Sequence, residues 1–97
     1  MQNNFPIGIF DSGLGGLIVL KELQKILPNE SFIYFGDTAH IPYGNKSQKS
    51  IQKYSKKIVQ FLNTQQVKLI VVACNSASSV AIDIIKDSAK SPLIDVI

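Results

Sequence analysis

One apolar run near residue 70 most constrains the fold of this chain. The segment Leu69–Val72 reads Leu-Ile-Val-Val and lies within a β-prone stretch from Val67 to Ala73. A strand with one exposed face alternates polar and apolar residues, whereas a continuous run indicates burial on both faces. Strands of that kind are typical of parallel sheets with helices packed against them. We therefore expect a buried strand of a layered α/β domain here.

Short apolar runs and longer amphipathic stretches alternate along the rest of the chain. Glycine, proline and asparagine punctuate them. The resulting order βαβαβαβ predicts an open parallel sheet with helices on both faces. The predicted strands are Phe5–Phe10, Ser31–Phe35, Val67–Ala73 and Pro92–Ile97. The first predicted helix is Leu17–Leu27, and the second is long, from a cap at Ser47 or Ser50 to about Gln65. The third runs from Ser76 to about Lys86.

The helical spacing of apolar residues predicts which side of each helix faces the sheet. In the first helix these residues are Leu17, Leu20, Leu23, Ile26 and Leu27, and in the second they are Ile51, Tyr54, Ile58, Phe61 and Leu62.

Length and composition exclude several classes of protein. The 97 residues suffice for one small domain, and 45% hydrophobic with 18% charged residues indicates a globular chain. The single cysteine cannot form an internal disulfide, which favours a reducing compartment. The N-terminus lacks the pattern of a secretory signal, and the apolar runs are shorter than the roughly 20 residues that span a bilayer. We expect a cytoplasmic protein that does not contact membranes.

The net charge of +3 comes with a lysine-rich stretch from Lys46 to Lys57. A basic helix can attract nucleic acid or acidic lipid, or it can simply be a solvated face. The stretch has no interleaved pattern of aromatic residues for base stacking, and the chain contains no arginine. We expect a solvated face and no nucleic-acid partner.

Polar clusters follow three of the predicted strands. They are Asp11-Ser12-Gly13, the segment from Asp37 to Gly44, and Cys74-Asn75-Ser76. The carboxyl ends of parallel strands lie at one edge of the sheet, where ligands of open α/β folds bind. We therefore expect the clusters to converge on one site.

Cys74 is the sharpest chemical signal. It ends a buried strand just before a predicted helix, whose N-terminus would stabilise a thiolate and lower the pKa of the thiol. Asn75, Ser76 and Ser78 supply donors nearby. An inert buried cysteine is the alternative, because cysteine is among the most commonly buried residues.

Asp11 also lies at a strand end, before a glycine-rich segment. It could be a general base, a partner of the thiol or a helix N-cap. Ser12 and the N–H groups of the following glycines would form a surface that suits an anion.

The dinucleotide fingerprint fails because Ile18 stands where its third glycine should be. We expect no cofactor, and one cysteine with one histidine predicts no metal site. His40 is expected to be a solvated loop residue, and Tyr43 with Gly44 either lines a pocket or forms a turn.

Three segments together resemble the signatures of bacterial glutamate racemases, members of the Asp/Glu racemase family. Asp11-Ser12-Gly13-Leu14-Gly15-Gly16 is similar to the first, the segment from Gly36 to Gly44 to the second, and Ala73-Cys74-Asn75-Ser76-Ala77-Ser78 to the third. Their order and spacing also match, and the resemblance covers nearly the whole chain.

The resemblance implies interconversion of L- and D-glutamate without cofactor or metal, which supplies D-glutamate for peptidoglycan and so for cell-wall biogenesis and cell shape. Two cysteines face opposite sides of the substrate Cα in that family. The resemblance makes Cys74 the one that acts on the D-enantiomer and Asp11 the residue that assists its proton transfer. It makes Ser12, Tyr43, Gly44, Asn75 and Ser76 binding residues for glutamate, together with Asp11. Ser76 stands where the family usually has threonine, which keeps the hydroxyl.

The resemblance also implies that residues 1–97 are a partial N-terminal α/β domain. The family's proteins are more than twice this length and have a second domain, which carries the second cysteine. We expect the full-length protein to be able to form a homodimer, and the isolated 97 residues to be inactive.

A non-catalytic reading remains open. The chain could be a small-ligand or protein-binding α/β module in which Cys74 is structural. Rapid alkylation of Cys74 at neutral pH, with protection by glutamate, would distinguish the racemase from this module.

Overall fold

The computed structural model describes residues 4–11, 15–36, 47–73 and 81–95, and they form an alternating β/α structure. The predicted order βαβαβαβ is confirmed. Its elements are β1 (Ile7–Asp11), α1 (Gly15–Ile26), β2 (Phe32–Gly36), α2 (Gln48–Thr64), β3 (Leu69–Val72), α3 (Ile82–Ser88) and β4 (Leu93–Asp95).

The four strands make one sheet in the order β2-β1-β3-β4, and every neighbouring pair is parallel. Ile9 of β1 is in register with Tyr34 of β2 on one side and with Val71 of β3 on the other. The chain therefore leaves β1 toward one edge of the sheet and later crosses back to its other side. This reversal places the switch point of the topology between β1 and β3, at their carboxyl ends.

Alternate residues of the strands feed two separate cores. Phe10, Ile70 and Val72 pack with α2 and with Ile85 of α3 on one face. The side chains of Ile7, Ile9, Val71 and Ala73 pack with α1 on the other. Helices therefore cover both faces, and β3 is buried on both sides as its continuous apolar run predicts.

The apolar face of α1 differs from the prediction. Leu20 and Leu23 pack against the sheet together with Val19, whereas Leu17 and Ile26 are 40% and 68% exposed. At 100° per residue, Leu17 lies well around the helix from the Val19-Leu20-Leu23 side. Within the described ranges no other helix packs on this face, so no described neighbour covers the flanks of α1.

The second helix follows its prediction more closely. Ser47 caps it by accepting the N–H of Ser50 at 3.1 Å, so the cap is Ser47 and not Ser50. The residues buried along α2 are Ile51, Ser55, Ile58, Val59 and Leu62. The predicted Phe61 is 41% exposed, and its ring packs on Phe35 with the centroids 5.4 Å apart.

The third helix is shorter than expected. It begins at Ile82, and Ala81 has a non-helical backbone (φ −130°, ψ 5°), so a continuous helix from Ser76 is wrong. Residues 76–80 lie outside the described part of the chain. Asn63 joins α2 to the end of α3: its amide donates to the Ser88 carbonyl at 2.8 Å and accepts the Lys90 N–H at 3.1 Å.

Candidate active site at the carboxyl end of the first strand

Asp11 is the one predicted site residue that lies in the described ranges, and it is the last residue of β1. Its side chain is only 2% exposed. A carboxylate buried to this degree needs hydrogen-bond donors to offset the loss of water. Two such donors reach it from two other elements of the fold.

Both donors bind the same oxygen of the carboxylate. The backbone N–H of Gly16 donates to Asp11 Oδ2 at 2.9 Å, and the hydroxyl of Tyr34 donates to the same atom at 2.6 Å. The second distance is typical of a charge-assisted O–H···O⁻ bond. Among the roles left open for Asp11, the structure shows a capping contact to the first turn of α1. It also corrects the prediction for Gly16, whose N–H meets this carboxylate and not a ligand.

Strand register brings Tyr34 to the carboxylate. Tyr34 is paired with Ile9, and Asp11 follows two residues later on the same face of the sheet. The residue paired with Asp11 is Gly36, which has no side chain to block the approach. A long phenol that leans along the strand can therefore reach Oδ2 from the neighbouring strand.

Gly16 meets the carboxylate at very short range. A Cβ at this position would lie 2.6 Å from both Asp11 Cβ and Asp11 Cγ, closer than real contacts allow. Only glycine lets the first turn of α1 approach near enough for its N–H to bind Oδ2. The structure thus gives a steric reason for this glycine.

Tyr34 is held as a neutral hydrogen-bond donor. Burial raises the pKa of Tyr34 well above its usual value of about 10, and the hydrogen bond to Asp11 and the negative charge of that carboxylate raise it further. A phenol donates through its single O–H, so ionisation would remove the bond. The donor therefore persists across the whole neutral range of pH.

The end of β3 lies beside the end of β1. The N–H of Ala73 donates to the carbonyl of Phe10 at 2.9 Å, and these two residues directly precede Cys74 and Asp11 in the sequence. Cys74, Ser12, Tyr43, Gly44, Asn75 and Ser76 themselves lie outside the described residues, as does His40. Their roles stay predictions.

Other features of the described chain lie apart from this edge. A groove of about 590 Å³ runs between the C-terminal half of α2 and the end of α3, lined by residues such as Lys56, Asn63 and Lys90. Both helices run antiparallel to the strands, so the groove is at the amino edge of the sheet, opposite Asp11.

The described ranges hold no cluster of three acidic, histidine or cysteine side chains that could bind a metal. No described helix combines the length and hydropathy of a membrane span.

Sequence reasoning missed Tyr34 and the steric role of Gly16. The available signal for Tyr34 was its place in a predicted strand, at even spacing from Gly36 on one face. This spacing indicates a contact with Asp11 only once the pairing of β2 with β1 and its register are known. For Gly16, the signal was a glycine five residues after a buried carboxylate.

Comparison with known proteins gives consistent matches to one family, although no protein-family model matches the chain. The glutamate racemase of Chlorobaculum tepidum is 52% identical over 89 residues, which are 92% of this chain and 33% of that protein. The crystal structure of the Francisella tularensis glutamate racemase in complex with D-glutamate superposes with a TM-score of 0.93 at 55% identity, over 97% of this chain and 36% of that one.

A more distant solved structure matches as well. Escherichia coli glutamate racemase, in complex with L-glutamate and the activator UDP-MurNAc-ala, gives a TM-score of 0.86 at 36% identity, over 95% of this chain and 35% of that one. This chain thus spans about a third of the length of the relatives it matches. It resembles their N-terminal part, as the sequence motifs predict.

Proposed function

We propose that this chain, as the N-terminal part of a glutamate racemase, supplies one half of a two-thiol site that interconverts L- and D-glutamate. Support comes from the similarity to glutamate racemases along almost the whole chain and from the match to structures that hold D-glutamate or L-glutamate. The observation that carries the proposal is the buried carboxylate of Asp11, which ends β1 next to the point where β3 leads into Cys74.

The proposed chemistry is a proton exchange at Cα. The thiolate of Cys74 removes the Cα proton of D-glutamate and becomes a thiol, which leaves a carbanion. The thiol of the second cysteine, in the other domain, donates a proton to the opposite face and becomes a thiolate, which gives L-glutamate. The reverse reaction runs the same steps backward. The Cα–H is a very weak acid, so the base must be well positioned and the carbanion must meet preorganised donors.

Asp11 would assist the proton transfer at Cys74. Its carboxylate accepts hydrogen bonds from a helix start and from a phenol, and it lies at the end of β1, next to the switch point of the sheet. Ser12, Tyr43, Gly44, Asn75 and Ser76 would bind the carboxylates and the amino group of glutamate. Hydroxyl and amide donors suit both tasks.

The wider role follows from the substrate. D-glutamate would enter peptidoglycan, so the activity would serve cell-wall biogenesis and cell shape, in the cytoplasm. We expect the full-length protein to be able to form a homodimer. The reaction needs neither metal nor cofactor, and we propose no nucleic-acid or membrane partner.

The experiment uses the full-length protein that carries this chain. Racemisation of L- and of D-glutamate is followed by circular dichroism, for the unmodified protein and for Cys74→Ser. General-base catalysis contributes about 10²- to 10⁴-fold, so we expect kcat to fall by at least about 100-fold in the variant. Near-normal turnover by Cys74→Ser would contradict the proposal. Absence of any racemisation by the folded, unmodified protein would favour the non-catalytic binding module instead.

A further inference from the structure

We draw no further inference here: the strongest candidate, the groove of about 590 Å³ between the C-terminal half of α2 and the end of α3, is lined largely by exposed polar side chains such as Lys56, Asp87 and Lys90, and nothing in the described part of the structure shows what binds there.

Discussion

At the scale of single residues, the bond between Tyr34 and Asp11 links ionisation to folding. Tyr34 is half-buried and donates to a carboxylate that is 2% exposed. Burial and the nearby negative charge both favour the neutral phenol, so the pKa of Tyr34 is raised in the folded protein. An unfolded chain offers neither effect, and there the phenol ionises near its usual value.

This difference predicts how stability changes at alkaline pH. Above about pH 10 the unfolded state loses the Tyr34 proton while the folded state keeps it, so the free energy of unfolding falls as pH rises. The contribution of Tyr34 is fully present below that pH. We expect urea unfolding of the full-length protein to show a steeper alkaline loss than Tyr34→Phe shows between about pH 9 and about pH 11. Parallel curves for the two proteins would contradict the prediction.

The sequence predicted Asp11 as a site residue, but it left three roles open for it. Composition and spacing show that a carboxylate ends a strand beside a glycine-rich turn. They do not show which neighbouring strand faces that carboxylate, because the register of β1 and β2 is set by packing between distant segments. The sequence alone therefore could not identify Tyr34 as a hydrogen-bond partner of Asp11. The other predicted catalytic and binding residues, Cys74 among them, lie outside the described ranges, so their roles rest on the resemblance.

At the scale of elements, α2 shows how a helix can be well placed and still contain a poorly satisfied group. Its N-terminus is capped by Ser47, whereas Ser55 is fully buried between Ile51 and Val59 on the same helix. Within the described structure the Ser55 hydroxyl has no hydrogen-bond partner. A buried hydroxyl without a partner costs about 1–3 kcal/mol.

The two serines of α2 should respond oppositely to alanine. Ser55→Ala removes an unsatisfied hydroxyl and adds helix propensity, so we expect the free energy of unfolding to rise by about 1 kcal/mol. Ser47→Ala removes the cap and should lower it by about 1 kcal/mol. The measurement is the urea midpoint of the full-length protein, with the slope checked for constancy. A loss of stability in Ser55→Ala as large as that in Ser47→Ala would show that the hydroxyl has a partner after all.

Helical periodicity predicted elements better than it predicted their buried faces. The predicted strands and helices are all present among the described residues, apart from the break at Ala81. Periodicity counted apolar residues and so overlooked Ser55, which is buried because of its position on α2. It also assigned Leu17 to the core, although α1 has no described neighbour on its flank to cover it.

At the scale of the whole molecule, the strand order puts β1 inside the sheet and directs its carboxyl end to the switch point. The sequence predicted a parallel α/β sheet covered on both faces, and that is confirmed. The strand order itself could not be predicted from local patterns. A helix of a given length can connect a strand to a new neighbour on either of its two sides in the sheet. The chain spans about a third of the length of the proteins it resembles, so the proposed site would be completed by residues outside these 97.

A two-thiol mechanism leads to a prediction for the isolated 97 residues. The chain contains one cysteine, so it can supply one of the two proton-exchanging thiols. We expect the purified 97 residues not to racemise glutamate, measured by circular dichroism over a long incubation beside the full-length protein. Turnover by the 97 residues that persists after removal of trace contaminants would overturn the two-thiol proposal.

The position of Asp11, Gly16 and Tyr34 along the chain has a consequence for biosynthesis. All three belong to the first β-α-β unit, and their contacts span only 5 and 23 residues of sequence. Short loops close at low entropic cost, and a ribosome adds roughly 5–20 residues per second. The contacts of this carboxylate can therefore form without the part of the chain that contains Cys74.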